Sequence, residues 1–124
     1  MHVLHADAAP VFDLPGVAFT ALAAPSRGSG ELCAWLITVE PGLESAEAHT
    51  LDRDEVFLVV EGEIRLAVDG PVVRAGDVAV VPAGEPIRLA NPGDVPARVH
   101  VAITAGFTAT AADGSTIGTP PWAV

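Results

Sequence analysis

Alternation of apolar and polar positions, rather than helical spacing, organises this chain from residue 32 onward. Residues 32 to 39 form an apolar run of strand length, and Val56-Phe57-Leu58-Val59-Val60 forms another. Glu63-Ile64-Arg65-Leu66-Ala67-Val68 alternates and predicts a half-buried strand over 63 to 68. Asp69-Gly70 follows, a pair suited to a tight hairpin because both residues tolerate positive φ. Residues 71 to 75 return, and Gly76-Asp77 turns the chain into Val78-Ala79-Val80-Val81. Pro82-Ala83-Gly84 ends that strand, and Ile87-Arg88-Leu89 begins the next. Asn91-Pro92-Gly93-Asp94 makes a further turn before Arg98-Val99-His100-Val101-Ala102-Ile103.

Short strands punctuated this regularly predict an all-β fold, an antiparallel barrel or sandwich that limits its exposed edges by closure. The length of 124 residues suits one domain with one core, residues 1 to 124. Within it the pattern separates an N-terminal arm (1–30), a barrel core (31–104) and a C-terminal segment (105–124). Pro10, Pro15, Pro25 and Ser26-Arg27-Gly28-Ser29-Gly30 predict an irregular arm with one or two short strands, able to cover a sheet edge or pair with a neighbouring subunit. Trp122 in the tail needs an apolar surface on which to dock.

Composition narrows the function classes. Half the residues are apolar, yet no run is long enough to cross a membrane, and no basic segment followed by an apolar stretch opens the chain. A soluble, cytoplasmic protein with no membrane partner is the expectation. Six arginines, no lysine and 16 acidic residues give a formal charge of −10, which argues against nucleic acid as a partner. Cys33 is the single cysteine, so no intrachain disulfide can form. It lies in an apolar strand with no charge placed to activate it, so a buried, inert thiol is expected. The absence of lysine also excludes Schiff-base catalysis.

Two spaced segments carry more information. In PGLESAEAHTLDRDEVFLVVEG, His49, Glu55 and Gly62 fall at the spacing of a first motif whose usual form has a His-x-His pair, a carboxylate and a glycine. In GDVAVVPAGEPIRLAN, Gly76, Pro82, Gly84 and Asn91 fit a second motif of the form Gly-x5-Pro-x-Gly-x2-His-x3-Asn. Together the segments resemble the paired signature of the cupin superfamily. The resemblance implies a small jelly-roll barrel, a double-stranded β-helix, in which positions 49, 51, 55 and 87 face a common cavity. In metal-binding relatives three histidines and one glutamate converge there. In this chain Leu51 and Ile87 stand at two of the histidine positions.

His49 and Glu55 alone fall short of the three protein ligands of a catalytic zinc site, or of two histidines and a carboxylate for non-haem iron. The expectation is therefore a small-molecule-binding barrel with no cofactor and no tightly bound transition metal. His49, Leu51, Glu55, Phe57 and Ile87 are the predicted lining of its ligand site, and no catalytic residue is assigned. If a metal is bound, His49, Glu55 and His100 are the candidates, although alternation on its strand turns His100 away from the apolar face of Val99, Val101 and Ile103. Two alternatives stand beside this: a metal-dependent dioxygenase or isomerase, and a non-catalytic interaction module whose cavity is filled by its own side chains. His49 and Glu55 also have a purely structural reading, as a hydrogen-bonded pair or a solvent-screened acid beside a histidine at the cavity rim. A homodimer is expected, because the arm and the tail carry apolar surface that a small core does not fully absorb.

Overall fold

The computed structural model describes the whole chain, Met1–Val124. Eleven strands run in order: β1 (Val11–Leu14), β2 (Val17–Ala23), β3 (Leu32–Val39), β4 (His49–Leu51), β5 (Glu55–Glu61), β6 (Glu63–Ile64), β7 (Val73–Arg74), β8 (Val78–Val81), β9 (Ala97–Thr104), β10 (Ala109–Ala111) and β11 (Thr116–Gly118). A six-stranded antiparallel sheet has the order β1-β2-β3-β9-β5-β8. Facing it are a three-stranded sheet, β11-β10-β4, and a two-stranded pair, β6-β7. The all-β barrel anticipated from alternation is what forms. No helix is long and apolar enough to cross a membrane.

The core follows from the period of two along β3 and β9. Cys33, Trp35, Ile37 and Val39 point inward from β3, opposite Ile103, Val101, Val99 and Ala97 of β9, and all eight are buried. Ile64, Leu66, Ile87, Phe107 and Ala109 close the same core from the facing layer. Burying one such aliphatic or aromatic side chain contributes about 2 kcal/mol, so these rows dominate the stability of the domain. Cys33 fits its expected role. Its thiol is buried, donates weakly to the Ala123 carbonyl (3.4 Å), and has its pKa pushed up by that burial.

The motif glycines and Asn91 act on the backbone. Gly62 has φ 71°, and a Cβ there would meet the Pro96 carbonyl oxygen at 2.8 Å and Ala97 Cα at 2.9 Å. A side chain at this position would force the β5–β6 corner off β9. Asn91 is 1% exposed, and its amide donates to the carbonyls of Val39 (3.0 Å) and Val95 (2.9 Å) while its oxygen accepts from the Gly93 N–H (2.9 Å). It thereby ties the turn before β9 to the end of β3.

Several local expectations change in the folded chain. The strand expected over 63 to 68 keeps its alternation, but only Glu63–Ile64 pair with β7, since Arg65 switches partner and bridges Ala90. Of the Asp69-Gly70 pair only Asp69 takes positive φ, at 56°, and Gly70 closes the turn through its N–H to the Ala67 carbonyl (3.0 Å). Ile87-Arg88-Leu89 is held by isolated bridges instead of a continuous ladder, because its backbone bonds alternate between partners: Ile87 with His49, Arg88 with Leu66 and Leu89 with Ser45. Residues 1 to 30 contain two strands, within the one or two expected there, and these, β1 and β2, extend the large sheet at its edge. The C-terminal segment likewise supplies β10 and β11 to the facing sheet, so the barrel draws strands from both sides of residues 31 to 104. Trp122 docks on its own chain, stacked on Phe19 with ring centroids 3.8 Å apart and planes at 8°.

Candidate functional site

Glu55 opens the inward row of β5, followed by Phe57 and Val59, so the alternation that buries two apolar side chains also buries the carboxyl group. It is 4% exposed. His49 begins β4, where its N–H donates to the Ile87 carbonyl (3.0 Å) and the Ile87 N–H donates back (2.8 Å). That exchange sets His49 and Ile87 directly opposite each other. Leu51, two residues on, is paired with Ala109 of β10.

All five predicted residues, His49, Leu51, Glu55, Phe57 and Ile87, line a single cavity of about 330 Å³ between the two layers. Its remaining walls include an aromatic group: Phe19, Trp35, Phe107 and Trp122. None of these four was expected at the site from the sequence. The alternation of β3 already turns Trp35 inward, whereas Phe19 and Trp122 become walls only because β2 joins the sheet and the tail stacks on it.

The cavity is electrically quiet at neutral pH. Burial raises the Glu55 carboxyl from 4.5 to about 8, with no hydrogen bond or cation offsetting the loss of hydration. Burial also lowers the His49 imidazole below its ordinary 6.5. At pH 7 both groups are therefore mainly neutral, one a carboxylic acid and the other a free imidazole. The hydrogen-bonded or solvent-screened pair of the structural reading is not what forms: the acid is buried and unpaired.

The donor set does not fit a tightly held transition metal. Nowhere in the fold do three or more His, Cys, Asp or Glu side chains converge. Leu51 and Ile87 offer no lone pair, and two neutral donors in an apolar wall leave a divalent ion largely desolvated. His100, named as a third candidate ligand, is corrected by the structure: it lies exposed on the outer face of β9, between Leu36 and Leu58, with the whole sheet separating it from the cavity.

An antiparallel jelly roll with a cavity between its layers, lined by the carboxyl group and histidine of one spaced motif, defines the class of protein. The cupin-domain family model matches residues 35–104, more than half of the chain, and the chain belongs to the cupin superfamily. Among solved structures it is similar to a cupin-superfamily sugar phosphate isomerase from Silicibacter pomeroyi, at 26% identity and TM-score 0.73 over 89% of this chain and 81% of that one. It is also similar to an RmlC-like cupin from Shewanella frigidimarina, at 25% identity and TM-score 0.69 over 84% and 90% of the two chains. The polyketide cyclase RemF from Streptomyces resistomycificus shares the fold at 15% identity, with TM-score 0.73 over 98% of this chain and 88% of that one. A salicylate dioxygenase is a further structural neighbour. No functionally curated protein matches the chain.

Proposed function

We propose that this cupin binds a small, partly apolar, uncharged molecule in the cavity between its sheets, without a resident transition metal. The observation that carries the reading is the pairing of a neutral carboxyl and a neutral imidazole, neither satisfied by the protein, with apolar and aromatic walls around about 330 Å³ of space. Protonated Glu55 can donate and accept, and His49 can do the same, so together they orient a carbonyl or hydroxyl group. A sugar phosphate, polar over most of its surface, matches these walls poorly, so the activity of the Silicibacter pomeroyi relative is not carried over. The open volume argues against an interaction module packed with its own side chains. A chemical-shift titration of the two tryptophan indoles with a neutral aromatic ketone tests the reading, because Trp35 and Trp122 both line the cavity.

A second reading, metal-free proton transfer, is favoured by the same two protonation states. A neutral acid and a neutral base are the forms needed to protonate a carbonyl oxygen and accept a proton from the adjacent carbon.

The dimer is proposed on a different surface from the arm and tail, since both pack on their own barrel. The outer face of the large sheet carries Val78 and Val80 of β8, Leu58 and Val60 of β5, and Leu36 of β3, in paired rows around His100. On the β8, β5, β9 and β3 part of this face the charged side chains are Arg98 of β9 and Glu61 of β5, which pair with each other. In a chain of charge −10, this is where a second copy approaches with least repulsion. Sedimentation equilibrium at micromolar concentration should report a dimer for the native chain and a folded monomer for Leu58→Asp; a native monomer contradicts the proposal.

A further inference from the structure

The arginines are not distributed evenly among partners. Arg53, Arg74 and Arg98 form ion pairs with Asp52, Glu63 and Glu61, and Arg27 donates to the Leu22 carbonyl. Arg65 and Arg88 have no carboxylate partner, and they stand together. The Arg65 and Ala90 backbones exchange hydrogen bonds (2.9 Å each way), and the Arg88 N–H donates to the Leu66 carbonyl (2.9 Å). This register puts Arg65, Ala67, Arg88 and Ala90 on one face, while Leu66 and Leu89 turn inward.

Those four residues line a second cleft, of about 280 Å³, completed by Leu43, Glu44 and the turn at Asp69. Two details make it more than a pair of surface cations. The Arg65 Nε is buried and has no hydrogen-bond partner, a desolvated donor on a charged group. Arg88 Nε donates to the Ser45 carbonyl (2.7 Å), which anchors the guanidinium stem and leaves its terminal N–H groups for the cleft. Diagonal positions across paired strands keep two guanidinium groups within reach of one ligand group, and their mutual repulsion falls when an anion sits between them. Glu44 and Asp69 make no ion pair with either arginine. Both guanidiniums therefore keep their charge available to one compact anionic group, while the two nearby carboxylates disfavour a polyanion.

We infer that Arg65 and Arg88 form a binding site for a single oxyanion, the phosphate or carboxylate group of a small molecule, on the outer side of the barrel and separate from the apolar cavity. Two half-buried guanidiniums hold the oxyanion by charge-assisted hydrogen bonds from their terminal N–H groups.

The test follows the arginine Nε–H signals of the full chain by NMR, at constant ionic strength, during titration with inorganic phosphate in one arm and acetate in the other. The expected result is a saturable shift of the Arg65 signal in at least one arm, with a Kd on the order of 1 mM. The arm that saturates identifies the ligand group. Arg65→Gln and Arg88→Gln should each weaken binding by about 10-fold or more, the effect of losing one charge-assisted contact. Arg53→Gln, paired elsewhere, should leave it unchanged. A response absent from both arms overturns the site, as does one that is linear or equally strong in Arg88→Gln. If Arg65→Gln does not fold, Arg88→Gln alone decides.

Discussion

Glu55→Gln is expected to raise the melting temperature by roughly 10 °C at pH 8 and to leave it almost unchanged at pH 5. The sign follows from the direction of the shift. Burial raises the Glu55 carboxyl in the folded protein from 4.5 to about 8, so between those values the native state holds a proton that the unfolded state releases. The stability associated with this group is fully present below about pH 4.5 and is lost as pH rises through about 8. A shift of that size corresponds to a difference on the order of 4 kcal/mol. Glutamine keeps the shape and the hydrogen-bonding capacity but has no proton to lose, so its stability curve lacks this slope. His49 titrates in the opposite sense, its depressed imidazole costing stability as pH falls below its ordinary 6.5, and that contribution is common to both proteins. Thermal melts of the two proteins from pH 5 to 8 check this; curves that run parallel across the range would mean that Glu55 is charged or solvated in the native state.

The second large effect is a gain of metal affinity. Leu51 and Ile87 line the same cavity as His49 and Glu55, and Ile87 lies directly across from His49. The double variant Leu51→His and Ile87→His therefore places four ligand-type side chains around one point. Binding of Zn or Ni should rise from undetectable at millimolar ion in the native protein to a Kd of about 1 μM or tighter, a gain of at least ~1000-fold. Each single variant reaches three donors and should fall between. Isothermal titration measures the change. A well-folded double variant that ignores both ions would show that these side chains do not converge as the geometry requires.

Much of this architecture was legible because it rests on local rules. The period of two in residues 32 to 39 and 98 to 103 places Trp35 and Val101 inside and His100 outside, and the spacing of Gly62, Gly76, Pro82, Gly84 and Asn91 marks the corners. His49, Leu51, Glu55, Phe57 and Ile87 are gathered into one cavity through the resemblance of their two segments to the paired cupin signature, not through periodicity alone. What escaped depends on pairings distant in sequence. Arg65 leaves β7 for Ala90, β10 joins β4 across more than fifty residues, and Trp122 becomes a cavity wall by stacking on Phe19. None of these is encoded in a neighbouring residue's type. The protonation of Glu55 belongs with them, since it follows from the layers that cover the carboxyl group and not from the charged loop Asp52-Arg53-Asp54 beside it.

The proposed ligand of the cavity between the sheets is a neutral, partly apolar molecule. The chain's two tryptophans report on it directly: both line the cavity, and both indole N–H groups are buried without a partner, so an arriving carbonyl or a displaced wall moves their signals. Titration of the full chain with acetophenone, and in parallel with benzenesulfonate, should shift both indole signals saturably with the ketone and leave them in place with the anion. Ala109→Phe, which fills the cavity from β10, should remain folded and lose the response. Indole signals that stay fixed up to the solubility of the ketone, or that move equally in Ala109→Phe, would contradict the proposal.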